Sequence, residues 1–469
     1  MTMDIAALWL GWMLVWAFGV AVIAALRKRS AALVDIGELA FVTGAGWFLG
    51  QILLTVWMRL LSLAGFPFSL AAIGGPLAVA TAAAVFAAWP GYGAITVGAR
   101  SALHEISGAG LPTARRALWL ALLAWLALRL LLLLVETTLR PLYPWDAWTQ
   151  WATKAQVWYA LKSMAPFVGA SEWLAAPTGS VYFDAAPHYP ATIPLTQVWS
   201  AILLGRFDDA LVNLPWWLTA LAFGIAVYGF LRLRKMSPIG SLIGTWVTLS
   251  LPILDAHVAL AGYADLAMAA YLTMAMLAWL RYTQTRTLAD LALALALCAA
   301  CVVIKNPGKI WVVLLLPGIV AAFLPRHGVR FAIGFFAVAA LAALVMTQTG
   351  LNILGYQARL SFRMPWHSLA EAYFLLGNWH LLFYGAIAMA LLGWRHLLTR
   401  DLAPLTITVA GGLAFLALGF GFTNAGAWVE DQSTVNRATL HLAPLIALWM
   451  IMTFRAWAEA QEVAVRQPA

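Results

Sequence analysis

Residues 117–136 read ALWLALLAWLALRLLLLLVE, twenty positions that are apolar apart from one arginine and one glutamate. Twenty residues of α-helix rise about 30 Å, the thickness of a bilayer's hydrocarbon core. A membrane barrel strand would instead alternate apolar and polar side chains over about 10 residues. Backbone amides at membrane depth need internal partners, so this run reads as a transmembrane helix. Arg129 and Glu136 stand seven apart and share one face of it. Intramembrane charges rarely face lipid, and the expectation is that these two pair inside a helix bundle.

The rest of the chain has the same character. Of its 469 residues 63% are hydrophobic and 10% charged, and the mean hydropathy is +0.85. A soluble domain is about 45–50% apolar and about 25% charged, so water is not the main solvent here. The fold class expected is an all-α polytopic membrane protein. Its thirteen spans are read over 5–26, 37–62, 69–98, 117–136, 211–231, 238–256, 264–281, 287–304, 309–325, 331–347, 376–394, 403–421 and 438–455.

A net charge of +9 raises the question of nucleic acid. The basic residues form no patch of that kind, however; they sit singly or in short groups beside the apolar runs, as the positive-inside rule produces. Arg27 to Arg29, Arg100 with Arg115 and Arg116, and Arg232 with Arg234 and Lys235 all fall after runs expected to end inside. So do Arg281 with Arg286, Arg326 with Arg330, Arg395 with Arg400, and Arg455 with Arg466. Roughly 17 of the 28 basic residues then lie inside and about 9 outside. The opening Met1-Thr2-Met3-Asp4 has no basic stretch before the first run, so that run is read as a retained span rather than a cleaved signal. This places the N-terminus outside and the tail 456–469 in the cytoplasm of an inner (plasma) membrane. Cys298 and Cys301 share one apolar run and read as packing residues, since no zinc-type ligand set accompanies them.

One connection is far too long to be structureless. Residues 137–210 lie on the outer face and carry two helical stretches, Trp145 to Met164 and Ile193 to Leu204. The first, with Trp145, Trp148, Trp151 and Trp158, reads as a helix lying in the membrane interface, its tryptophans anchors or a platform for a sugar. The second is too short to span and reads as interfacial or re-entrant.

Polar residues gather at the outer ends. The long loop supplies Asp146, Lys154, Asp184, His188, Tyr189, Arg206, Asp208 and Asp209. Later connections supply Asp255, His257, Asp265, Lys305, Lys309, Tyr356, Arg359, Arg363, His367, His380, Glu430, Asp431, Arg437 and His441. Outer-face cations work against the topology rule, and an anionic ligand, phosphate above all, is the economical reason for them. No P-loop, strand–GxGxxG–helix unit, HExxH or GxSxG is present, so a nucleotide-driven or serine-elbow hydrolase is not indicated.

Five segments, in order, resemble the GT-C glycosyltransferases, which include the protein O-mannosyltransferases and the bacterial aminoarabinose transferases. They are Tyr143-Pro144-Trp145-Asp146-Ala147-Trp148, then Pro187-His188-Tyr189-Pro190-Ala191-Thr192-Ile193-Pro194-Leu195 with Gly205 beyond, then Gly262-Tyr263-Ala264-Asp265. Val303-Ile304-Lys305-Asn306-Pro307-Gly308 and Val435-Asn436-Arg437, with His441 and Pro444, complete the series. The resemblance covers about 117–455 and leaves 1–116 as an additional N-terminal three-span unit. It departs where the mannosyltransferases carry an Asp-Glu pair, here Asp146-Ala147, and a Pro-Pro, here Pro190 to Pro194. Donor sugar and acceptor stay open for that reason.

The resemblance implies transfer of a sugar from a polyprenyl-phosphate donor to an acceptor hydroxyl on a glycan, lipid or protein, on the periplasmic face. No cofactor and no obligatory metal are implied. Asp146 would be the general base. Lys305, Arg437, Arg359 and Arg363 would hold the donor phosphate, and Trp145, Lys154, Asp184, His188, Tyr189, Asp265 and His441 would line the pocket. Plainer roles stand beside these. Asp146 and Asp265 suit helix N-caps, Lys305 and Lys309 suit snorkelling, Arg437 suits a salt bridge to Glu430 or Asp431, and the histidines suit buried hydrogen bonds. A secondary transporter of an anionic solute, or an O-antigen ligase or polymerase-type envelope enzyme, are the other functions that outer-face cations would serve.

Overall fold

The computed structural model describes residues 2–27, 35–89, 92–324, 327–350, 359–361 and 365–466. Its first helices are α1 (Thr2–Leu26), α2 (Ile36–Leu63), α3 (Leu70–Ala88), α4 (Tyr92–Ile106) and α5 (Thr113–Leu139). The long loop follows with α6 (Thr153–Leu161), β1 (Phe167–Val168), α7 (Ala170–Ala175), β2 (Tyr182–Phe183) and α8 (Thr192–Leu204). Then come α9 (Leu214–Leu233), α10 (Pro238–Leu249), α11 (Pro252–Ala259), α12 (Asp265–Thr285), α13 (Leu288–Ile304) and α14 (Gly308–Phe323). The last are α15 (Gly328–Thr349), α16 (Trp366–Ala370), α17 (Leu382–Leu392), α18 (Ala403–Phe422) and α19 (Ser433–Arg466).

The chain is a helical, multi-pass membrane protein. Among the described residues eight helices are long and apolar enough to cross a bilayer: α1, α2, α3, α5, α9, α15, α18 and α19. A ninth is the pair α10 and α11, expected as one straight span and bent instead by 67°. Pro252 causes the break, because it offers no N–H and disfavours helical backbone at Leu251. The other expected spans fall short of the thirteen for separate reasons. At 17 and 16 residues, α13 and α14 rise about 25 Å each. In α12 the polar ends around Asp265 and Arg281 lower the apolarity, and α17 has only 11 residues, since Gly377 and His380 turn the chain at positive φ just before it. The third span ends at Ala88, and α4 follows as a separate helix.

The described chain forms two compact units. The first comprises 1–246, 255–267 and 303–305; the second comprises 247–254, 268–302 and 306–469. In the first unit α2 packs against α1 and α9, and α1 against α3 and α8. The N-terminal helices, expected as an addition, are thus packed with the long loop and α9. Two buried tryptophans tie α1 to α8 and α2 to α9 through their indole N–H groups. Trp12 of α1 donates to Ser200 Oγ of α8 (3.0 Å), and Trp47 of α2 donates to Thr219 Oγ1 of α9 (3.0 Å). In the second unit α14 packs on α15 and α18, and α19 on α17 and α18.

Ion pairs within each unit join ends that the charge pattern assigns to one side. Arg27 meets Glu38 (3.0 Å), Arg232 meets Glu105 (2.9 Å) and Arg281 meets Asp290 (3.6 Å) at the basic ends. At the opposite ends of the first unit Arg206 meets Asp4 (3.0 Å) and Asp208 (3.3 Å). The expected Arg129–Glu136 pair does not form. Arg129 pairs with Asp255 of α11, and Glu136 pairs with Arg140 one turn along its own helix (2.6 Å). Seven residues span about 10 Å of helix, farther than two side chains on one face readily close.

Candidate functional site

The loop helix starts at Trp145 and runs to Leu161, short of the expected Met164, because Lys162 takes a left-handed φ of 55°. Residues Ala147–Ala152 make a π turn. A π turn holds more residues per turn than an α-helix, so positions three apart are rotated away from one another. The four tryptophans accordingly divide. Trp145 is 69% exposed and lies edge-on to Trp148 (5.3 Å), whereas Trp151 is 1% exposed and packs on Tyr189 (5.0 Å). Trp158 is buried too and donates to Ala165 O (2.9 Å). The anchor reading therefore suits Trp145 and Trp148 alone; Trp151 and Trp158 form the loop's own core.

Asp146 sits at the head of this helix, half-buried, with helical backbone angles and no capping bond from its side chain. The plain N-cap role is thereby removed. Against its neighbour Ala147 lies Gly262, whose φ of +106° few other residues adopt. A β-carbon on Gly262 would stand 2.6 Å from Ala147 Cβ and 2.8 Å from Leu142 Cδ2. The close approach brings the Gly262–Asp265 segment against the root of Asp146. Trp216 fixes that segment by donating to Tyr263 O (2.8 Å), and His257 packs on the Tyr263 ring (5.6 Å).

Asp265, in the first turn of α12, accepts a hydrogen bond from Lys305 Nζ. The aspartate is fully buried and the lysine 6% exposed, so Lys305 does not snorkel. An ammonium has three N–H donors, of which one is directed at Asp265. Two residues before Lys305, the Val303 carbonyl accepts from Thr192 Oγ1 (2.6 Å), and Thr192 Oγ1 accepts from Arg59 Nη2 of α2 (2.7 Å). Arg59 was missed in the sequence because α2 lies outside the GT-C-like segments, and Thr192, inside one of them, was given no role of its own. The signal was present in a single arginine inside an apolar run.

Lys154 and Asp184, expected in the pocket, are paired with one another (2.6 Å). Lys154 also donates to Ala186 O (3.1 Å), and Asp184 Oδ1 accepts from Ala186 N (2.8 Å). Both are buried, and burial lowers the Lys154 pKa below its ordinary value, with Asp184 opposing the shift. Their geometry is that of a strut joining α6 to the segment after β2. His188 is exposed and Tyr189 half-buried. The loop's second stretch, α8, is buried on nearly every side; it is packed inside the unit rather than laid on its surface.

The second unit holds the remaining expected residues. Arg437 is half-buried in the second turn of α19. His441 is buried, and its Nδ1 accepts from Trp311 Nε1 (2.9 Å), which leaves Nε2 to carry the proton of the neutral ring. Arg359 is exposed, with its backbone bonded to Asn424. Arg363 and Tyr356 lie outside the described residues. Among the described residues no group of three His, Cys, Asp or Glu is placed to hold a metal ion.

Comparison of the chain with protein-family models, curated proteins and solved structures finds no match.

Proposed function

We propose that the protein is a membrane glycosyltransferase of GT-C type, moving a sugar from a polyprenyl-phosphate donor to an acceptor hydroxyl at the outer face of the membrane. The observation that carries this is the contact of Gly262 on Ala147. It sets a half-buried carboxylate, Asp146, beside the segment that ends in the buried Asp265–Lys305 pair. Transfer needs a carboxylate to take the hydroxyl proton as the oxygen attacks C1 of the sugar. It also needs a cation to hold the phosphate that departs with the C1–O bond electrons. Asp146 fills the first role and Lys305 the second, while exposed Trp145 and Trp148 offer ring faces to the sugar or the interface.

A second reading has one feature in its favour. The 67° break between α10 and α11 is of the kind transporters use to present helix ends to a solute. The purified chain in proteoliposomes decides between them. The enzyme reading expects labelled sugar to pass from polyprenyl phosphate to a hydroxyl acceptor. Counterflow of an anionic solute without any transfer would replace it with the transporter.

A further inference from the structure

Arg59 is a permanently charged side chain near the outer end of α2, and it does not snorkel. Its neighbours Leu60 and Leu63 are exposed at 52% and 83%, yet the Arg59 guanidinium turns inward to Thr192. That hydrogen bond is the one it makes among the described residues. Its Nε is sealed from solvent without an acceptor, and it forms no ion pair there. A guanidinium has five N–H donors and keeps its proton. A partly buried cation with one neutral acceptor is costly to keep, unless an anion completes its shell.

The surroundings favour the same ligand. Thr192 is the first residue of α8, whose N-terminus has no side-chain cap, so the helix presents its positive end beside Arg59. The Thr192 hydroxyl gives its proton to the Val303 carbonyl, and what it offers Arg59 is a lone pair. Val303 leads two residues on to Lys305. Arg59, Thr192 and Lys305 are thus joined through one short chain of bonds within the first unit.

The structure assigns Arg59 to the binding of a lipid phosphate, so that the N-terminal helices supply a cation to the site built by the long loop and the Lys305 turn. This rests on the glycosyltransferase reading for its ligand, since a polyprenyl phosphate is the donor's charged end. The forked guanidinium would take two phosphate oxygens, which a lysine cannot match. The first unit then has a reason to pack α2 against the loop.

The test uses the full chain in nanodiscs, with farnesyl phosphate, farnesol and inorganic phosphate as probes and tryptophan fluorescence as the readout. Wild type should bind farnesyl phosphate more tightly than farnesol. Arg59→Gln should weaken farnesyl phosphate at least ~10-fold, the scale of a lost charged hydrogen bond, and leave farnesol unchanged. Arg59→Lys should recover part of the affinity. Should Arg59→Gln fail to fold, Arg59→Lys alone decides: affinity equal to wild type overturns the assignment. Equal loss for farnesol and farnesyl phosphate would also overturn it, making Arg59 a packing strut. Inorganic phosphate binding as tightly as the lipid would overturn the lipid source. Sugar transfer is measured in parallel. Arg59-dependent binding without transfer keeps this site and removes the enzyme; transfer with full affinity in Arg59→Gln does the reverse.

Discussion

Gly262 approaches Ala147 so closely that one added methyl would meet the alanine's own methyl at 2.6 Å. The pair locks the turn before α12 to the head of the loop helix. Gly262→Ala therefore faces both a steric clash and a φ of +106°, together about 1–3 kcal/mol. The variant should melt several degrees lower and lose most transfer. Adding Ala147→Gly should restore part of the stability by removing the clash with Ala147, while the contact with Leu142 and the backbone strain remain. No recovery in the double variant would mean that the contact with Ala147 is not what limits stability.

Asp146→Asn removes a proton acceptor from a side chain that makes no capping bond. The melting temperature and donor binding should hold. Single-turnover transfer should slow at least ~100-fold. Near-normal turnover would pass the role of base to another carboxylate.

The Asp265–Lys305 pair is buried, and removing one side takes this compensation from a buried charge. Lys305→Met should cost about 3–5 kcal/mol in reversible unfolding from detergent. Asp265→Asn in the same chain should return much of it. Costs that simply add would show that the two groups do not depend on one another.

Lys154 supplies a pH signature. Its folded pKa is lowered by burial, so between that value and the ordinary 10.5 the unfolded chain holds more protons than the folded one. Stability from this group rises with pH across that window. Measured against Lys154→Arg, which stays charged, wild type should gain in melting temperature as pH climbs toward 10.5. A constant difference would place the lysine in an unshifted environment.

Orientation follows from the basic ends. A reporter after Lys235 should be cytoplasmic, and one inserted at Gly179, where the backbone is open, should be outside. Both on one side would break the topology on which the face of the site depends.

The long apolar runs made the membrane helices legible, because span length and apolarity are local properties. The 67° break was overlooked although Pro252 is plain in the sequence, since the runs on both sides add to the length of one helix. Pairings were the hardest to foresee. Arg129 and Glu136 share a face, yet each found a nearer partner, and Lys154 meets Asp184 across a loop whose fold no spacing encodes. Asp146 and the Gly262–Asp265 segment were visible as motifs; that Gly262 seats on Ala147 was not. Arg59 was readable only as an oddity of composition.

The pairing of Arg129 with Asp255 bears on how the chain is made. An arginine at mid-helix opposes membrane insertion by about 2.5–3.5 kcal/mol, and its partner lies 126 residues later (255 minus 129). At ~5–20 residues per second, roughly 6–25 s of synthesis separate the two. Through that interval α5 must stay in the membrane with its charge unanswered. Its apolar window is the strongest of the eight spanning helices, with a mean hydropathy of 2.5. The leucines around Arg129 thus act as ballast for a biosynthetic intermediate, holding the helix in place until Asp255 leaves the ribosome.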